Sequence, residues 1–329
     1  VRGLLAMRPD LPALLFDDAA RRRLDDLADL DPDVVSGAWP SAERLHRVEV
    51  LVTGWQSPYL DADTLAAMPA LRAVLHTGGS VRHLLAPEVW DRGVLVTSAA
   101  TQNARPVAEY TLAVVLLAAK GALEMGQLYR SRRGFVDLVS EFPDSGVARR
   151  RIGVVGASTI GRRVVQLLSA FDVDVDVHDP YLDAEGARLL GVQRVSLHEL
   201  AARCDVVTLH APELPETHHL VDAEFLALMR EGATLVNTAR GGLVDHEALE
   251  RHLVSGRLRA VLDVTEPEVL PADSPLHDLP NVLLTPHVAG ATGRELARLG
   301  NCAVQELDRL VHGHPPLHPV TVQVLRLMA

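Results

Sequence analysis

Short apolar runs separated by amphipathic stretches recur along most of the chain. In the first hundred residues, Leu4–Met7, Val48–Val52, Leu71–Leu75 and Val94–Thr97 have the length and continuity of buried strands. Between them, Asp17–Leu30 and Asp63–Met68 space Leu and Ala at helical intervals among charged residues. This alternation predicts a parallel sheet covered by helices. Residues 105–130, RPVAEYTLAVVLLAAKGALEMGQLYR, carry the longest apolar helical pattern. A helix apolar on most faces must be buried, either inside the fold or against a second subunit. After a loop containing Gly134, Pro143 and Gly146 the alternation restarts, predicting strands at 152–155, 173–177, 205–209, 233–237, 259–263 and 281–284. Asp174 and Asp176 alternate with valines, as expected of a strand with one polar face near a sheet edge. Residues 291–311 predict a closing amphipathic helix that crosses back to the first unit, and HGHPPLHPV reads as a proline-rich extended tail. No solenoid period is present. The expected fold is α/β, with two doubly wound parallel-sheet domains.

Composition narrows this picture. A chain of 329 residues exceeds the usual single domain and can bury a substantial core. A net charge of −11 argues against non-specific nucleic-acid binding, which needs a basic surface. The two cysteines, Cys204 and Cys302, lie far apart, which fits a reducing compartment and leaves no cysteine-rich zinc site. The stretch VRGLLAMRPDLP is broken by Arg8 and Asp10 and does not read as a signal peptide. No apolar run reaches the roughly 18 residues of a membrane span. The expectation is a cytoplasmic protein without a nucleic-acid or membrane partner.

The segment RIGVVGASTIGRR, residues 151–163, is strand, glycine loop and helix start in sequence. It matches the dinucleotide fingerprint G-x-G-x-x-G at Gly156 and Gly161, with Ser158 at the middle glycine position. Gly156 permits a tight turn and Gly161 a close helix–strand approach. The helix N-terminus, from Thr159 and Ile160, offers N–H groups to a pyrophosphate. Ser158 either donates its hydroxyl to that phosphate or holds the cofactor slightly away with its Cβ. Asp179 ends the next strand, 18 residues past Gly161, near the spacing of a carboxylate that binds the adenosine ribose diol. With no Arg or Lys in the Pro-Tyr-Leu-Asp that follows, NAD is expected over NADP.

Three later stretches place chemistry at strand ends. LVNTARGGLVDHEAL puts Arg240 after an apolar strand, and a planar guanidinium suits a carboxylate. LDVTEPEVLPADSPL supplies Glu266 and Glu268, and NVLLTPHVAGAT supplies His287. An Arg, a Glu and a His, each following a different parallel strand, suit a hydride transfer in which a carboxylate is clamped and one proton moves. A carboxylate beside an imidazole favours the protonated ring. The histidines at 218–219 and 312–314 show no carboxylate or cysteine partner at ligand spacing, so no metal is expected.

Together, VGASTIGRR, DPYL, LVNTARGGLVDHEAL, LDVTEPEVLPADSPL and NVLLTPHVAG resemble the D-isomer-specific 2-hydroxyacid dehydrogenase family, which includes glyoxylate/hydroxypyruvate reductases, D-lactate dehydrogenases and phosphoglycerate dehydrogenases. The resemblance is strongest from about 105 to 300. It implies a Rossmann-type NAD domain over 103–289 and a flavodoxin-like substrate domain from 1–102 and 290–329. It further implies that Arg240 grips the α-carboxylate of a small 2-keto or 2-hydroxy acid and that His287 is the acid/base. Its glutamate partner is Glu268 by count from Asp263, while Glu266 is the one that precedes a proline. Val269 stands where the family has proline. Asp263 is placed near the nicotinamide carboxamide, Thr238 and Ala239 along the cofactor, and His210, Ala211 and Pro212 on its adenine and ribose side. Val107 and Asn103 line the cleft, Gly79 and Ser80 offer backbone N–H groups to the substrate, and a homodimer forms through helix 105–123. Arg105 is either solvated or faces a second anionic group, and Trp55 either walls the cleft or is an ordinary buried Trp.

Other classes remain for comparison. The same fold serves NAD-sensing corepressors without turnover, which the Arg240, Glu268 and His287 set disfavours. The family's formate enzymes carry Gln beside the His, unlike this chain. No G-x-S-x-G elbow of a serine hydrolase is present.

Overall fold

The computed structural model describes residues 1–327. The chain forms two compact units: Val1–Pro106 with the segment that begins at Ala291, and Val107–Gly290. The chain passes from one to the other inside the helix Ala100–Lys120, at Pro106, whose missing N–H removes one intrahelical bond.

The first unit holds a five-stranded sheet of β1 (Arg2–Ala6), β2 (Asp29–Leu30), β3 (Val50–Thr53), β4 (Ala73–His76) and β5 (Leu95–Ser98). Their order is β2-β1-β3-β4-β5 and every pairing is parallel. Successive side chains alternate between two cores: Leu5, Val50, Val52, Ala73 and Leu75 face one, and Leu4, Ala6, Leu51, Val74 and Val96 the other. Burial on both faces is why these strands read as unbroken apolar runs. The predicted helix Asp17–Leu30 is shorter, Asp18–Leu27, capped by Asp17 and followed by the edge strand β2. A two-residue strand is too short to interrupt a helical pattern in the sequence. The closing helix Leu296–Val311 does return to this unit: Leu299, Ala303 and Leu307 pack with Leu15 and Leu24. The tail after it is anchored, since Glu306 accepts from the N–H groups of Leu317 and His318, and Val320 N–H donates to Val96 on β5.

The second unit holds β6 (Arg150–Val155), β7 (Val173–His178), β8 (Gln193–Arg194), β9 (Val206–Leu209), β10 (Thr234–Asn237), β11 (Arg259–Leu262) and β12 (Val282–Leu284). The order β12-β11-β10-β9-β6-β7-β8 is again fully parallel. The chain winds one way from β6 to β8 and the other way from β9 to β12, so direction reverses between β6 and β9. Open α/β sheets bind ligands beyond the carboxyl ends of the strands at such a point. Two expectations are corrected here. The helix read over 105–130 starts at Ala100 and breaks at Gly121, whose φ of +72° is left-handed, into a second helix, Ala122–Arg132, bent by 59°. Val114, Val115 and Ala119 are buried as expected, but Leu117 and Tyr129 are exposed. The second concerns the polar face of β7, a strand that does lie near the sheet edge, one in from it. Its Asp176 is buried because the guanidiniums of Arg151 and Arg203 face it. No single helix among the described residues is long and apolar enough to cross a membrane.

Gly300 tests the packing of the closing helix. A Cβ there would lie 2.0 Å from the carbonyl oxygen of Leu15. Gly300→Ala is expected to lower stability by roughly 1–3 kcal/mol, read as a drop in the thermal midpoint. Gly126→Ala, where no atom lies within 4 Å, is expected to leave it unchanged or raise it.

Candidate active site

The phosphate-loop candidate sits at the reversal point of the second sheet. Gly156 follows β6 with φ +98°, and a Cβ on it would strike the backbone of His210 and Ala211 after β9 at 2.6–2.9 Å. Gly161 is equally constrained, because its Cβ would lie 2.0 Å from the carbonyl oxygen of Gly156. The two glycines therefore let strand, loop and helix Thr159–Leu168 close up against β9. Ser158 has a role that neither sequence alternative named: it is the helix N-cap, its Oγ accepting from Gly161 N–H at 3.2 Å. Asp179 lies beside this loop, accepting from Ala157 N–H (2.6 Å) and Tyr181 N–H (2.7 Å). Thr159 and Ile160 open the helix, with Ile160 partly buried. This cradle, which side chains at 156 and 161 would fill, together with a helix N-terminus and a carboxylate at the next strand's end, fits a dinucleotide.

His210, the residue after β9, is almost fully buried, with Ala211 and Pro212 following it. Its Nε2 lies 3.0 Å from Thr208 Oγ1, while its Nδ1 has no protein partner. Burial holds its pKa down at about 3, so the ring is neutral.

Three loops after β10, β11 and β12 carry the remaining residues. Asn237 clips the first: its Oδ1 accepts from Ala239 N–H (3.0 Å) and its Nδ2 donates to Arg240 O (2.8 Å). Thr238 Oγ1 meets Thr111 Oγ1 at 2.9 Å. Arg240 is half-buried, which pushes its guanidinium below the usual range, while Glu213 and Glu268 pull it back. Gly241 then passes so close to Thr265 that a Cβ would sit 2.1 Å from its oxygen.

Asp263, buried after β11, organises the third loop. Its carboxylate accepts from Thr285 Oγ1 (2.5 Å), Val288 N–H (2.8 Å) and Ala289 N–H (2.9 Å). Its carbonyl accepts from His287 N–H at 2.9 Å. Both carboxylate oxygens thus serve the loop, a structural role the sequence reading did not include. Tyr110 was also missed: with the Thr285 proton given to Asp263, the Tyr110 hydroxyl donates to Thr285 Oγ1 at 2.8 Å. Burial raises the Tyr110 pKa, partly offset by that hydrogen bond.

His287 takes a left-handed φ of +56°, and its Nδ1 lies 2.6 Å from Glu268 Oε1. Of the two glutamates left open by the sequence, Glu268 therefore faces His287. Glu266 instead faces His219, with 3.6 Å between its Oε2 and Nε2. No carboxylate stands at ligand spacing from His218 and His219 in the sequence; folding supplies one. The partner is 47 residues downstream, beyond any local spacing rule.

In the first unit, His76 ends β4 buried, with Nδ1 3.0 Å from Thr53 Oγ1. Gly78 packs on its ring, Gly79 lies near the amide of Asn103, and Ser80 Oγ accepts from Arg82 N–H. Asn103 Oδ1 accepts from Ala291 N–H at 2.8 Å. Val107, where the second unit begins, is buried. Trp55 is not a core residue; it is 46% exposed.

The match to known proteins agrees with this geometry. Residues 112–289 match the D-isomer specific 2-hydroxyacid dehydrogenase, NAD binding domain. The chain belongs to this family. The D-3-phosphoglycerate dehydrogenase of Mycobacterium tuberculosis is 36% identical over 310 residues, 93% of this chain and 56% of that protein. The chain thus spans little more than half the length of that relative. The glyoxylate reductase of Thermofilum pendens is 32% identical over 272 residues, 82% of this chain and 80% of the relative. The TT0316 protein from Thermus thermophilus superposes with a TM-score of 0.78 at 32% identity, covering 98% of this chain and 100% of its own. Two parallel-sheet α/β units are the fold of this family, and the NAD-binding domain is the second unit.

The two buried imidazoles carry a pH prediction. An unfolded histidine titrates near 6.5, whereas folded His76 is held down at about 4 and His210 at about 3. Below pH 6.5 the unfolded chain therefore takes up protons that the folded chain refuses. The stability each contributes is fully present above pH 6.5 and is lost as pH falls towards 4 and 3. Thermal midpoints of wild type and His210→Gln between pH 7 and 4.5 should fall less steeply in the variant. Equal slopes would contradict the buried neutral ring.

Proposed function

We propose that this chain is an NAD-dependent oxidoreductase that interconverts a small 2-keto acid and a D-2-hydroxy acid. The observation that carries the reading is the 2.6 Å contact between His287 Nδ1 and Glu268 Oε1, on the loops after β12 and β11. Nicotinamide, when bound, supplies or accepts the hydride; Gly156, Ser158, Thr159, Ile160, Gly161 and Asp179 would hold the dinucleotide, with His210, Ala211, Pro212, Thr238, Ala239, Asp263 and Val107 along it. The Asp179 carboxylate disfavours a 2′-phosphate, so NAD is preferred over NADP.

The chain's own groups do the rest. Glu268 fixes Nδ1 of His287 and orients the ring, leaving Nε2 to give a proton to the keto oxygen in reduction and to take it back in oxidation. Arg240 binds the substrate carboxylate through its fork, a contact an ammonium cannot reproduce. Gly79, Ser80 and Asn103 are assigned to substrate binding on the family resemblance. Exposed Leu117, on helix Ala100–Lys120, supports a homodimer through the region of 105–123. The two free, buried cysteines fit a cytoplasmic location.

Assay of a panel of 2-keto acids with NADH and NADPH tests the activity. NADH binding without turnover on any of them would favour a regulatory, corepressor-like protein instead. His287→Ala is expected to lower reduction by roughly 10²–10⁴-fold while NADH binding is unchanged; loss of both would mark a structural histidine. Arg240→Lys should raise KM and lower kcat, each by about tenfold. Asp179→Ala should narrow the difference between NADH and NADPH affinity, measured by nicotinamide fluorescence.

A further inference from the structure

Outside these residues, one side-chain cluster in the second unit combines nitrogen and oxygen donors. The chain after β9 makes a compact turn. Thr217 Oγ1 donates to Pro212 O (2.6 Å) and accepts from Leu214 N–H (2.8 Å), and His219 N–H donates to Gly242 O (2.8 Å). His219 sits at φ +52°, and the rings of His218 and His219 stack with their centroids 3.9 Å apart. Glu266 reaches the same place from the loop after β11. One donor atom from each of His218, His219 and Glu266 lies within 4.8 Å of the others, and all three side chains are open to solvent.

Several features point to a shared ion rather than to a pairwise contact. His219 Nε2 and Glu266 Oε2 are 3.6 Å apart, too far for a good hydrogen bond. Two ligands on one tetrahedral Zn²⁺, each bonded at about 2.0–2.1 Å, stand roughly 3.3–3.4 Å apart, so the His219–Glu266 pair needs little movement, while the His218 ring turns out of the stack to join it. Glu213 offers a further carboxylate: a Cβ on Gly242 would meet both its Oε1 (2.5 Å) and His218 Nδ1 (3.3 Å). His246 adds a buried Nε2 that has no protein partner, and its ring lies within the electrostatic reach of Glu266 and His219.

We propose that His218, His219 and Glu266 bind a divalent transition-metal cation of the Zn²⁺ class, with Glu213 or water completing its shell. Two imidazoles and a carboxylate select such an ion over Mg²⁺ or Ca²⁺, which prefer all-oxygen shells. The ion would clamp the 218–219 turn to the loop that carries Glu268 two residues beyond Glu266.

The test uses the full chain, free of affinity tag and stripped of metal. Zn²⁺ is titrated in competition with a chromogenic indicator, and Co²⁺ is followed by its visible absorption. We expect one ion per chain, at least tenfold weaker binding in His219→Ala and in Glu266→Gln, and loss of the Co²⁺ bands in the His218→Ala/His219→Ala double variant. His287→Ala should bind as wild type does, which separates this site from the Glu268–His287 pair and from the proposed activity. Affinity should also fall from pH 7.5 to 5.5 as the imidazoles protonate. Circular dichroism and melting of each variant establish that it is folded. No stoichiometric Zn²⁺ binding by wild type, or wild-type affinity in the folded Glu266→Gln and His219→Ala variants, would overturn the proposal.

Discussion

The buried carboxylate of Asp263 accepts hydrogen bonds from Thr285, Val288 and Ala289, and its carbonyl accepts one from His287. These bonds hold the loop after β12 in the conformation that gives His287 its left-handed backbone. A non-glycine residue there costs roughly 1–2 kcal/mol, which several hydrogen bonds to one buried charge can offset. Tyr110 extends the anchor through Thr285 to the helix Ala100–Lys120. The contact of His287 with Glu268 follows from this arrangement, because Glu268 lies only five residues beyond Asp263 on the preceding loop.

The same device recurs along the sheet. β10, β11 and β12 are adjacent and parallel, so their carboxyl ends deliver Arg240, Glu268 and His287 to neighbouring loops. Polar side chains at strand ends fix two of these turns: Asn237 clips the Arg240 turn, and Asp263 fixes the His287 turn. At the reversal between β6 and β9, glycines replace polar clips because the backbones approach too closely for a Cβ. The fold thus brings Arg240, Glu268 and His287 to neighbouring loops through backbone constraints, and their side chains are left half-buried or exposed.

Much of this was legible in the amino-acid sequence, because strands buried on both faces leave short apolar runs bounded by polar and glycine-containing turns. The glycine loop, Asp179, Arg240 and His287 were legible for the same reason: each ends such a run. What escaped were features set by tertiary partners. Strands β2 and β8 are two residues long and carry no pattern. The break at Gly121 needs one glycine at φ +72°, which helical periodicity does not register. Asp176 reads as a polar edge residue until Arg151 and Arg203 are seen around it. The cap at Ser158, the role of Asp263 as a loop anchor and the approach of Glu266 to His219 depend on residues brought close only by folding.

Asp263 is thus the residue that holds the loop presenting His287. Hydrogen exchange at the amides of Val288 and Ala289 tests this most directly, compared between wild type and Asp263→Asn. Slow exchange in wild type, released by at least tenfold in the variant while the amides of β10 stay protected, is the predicted result. Fast exchange at 288 and 289 in wild type, or equal protection in both proteins, would contradict it.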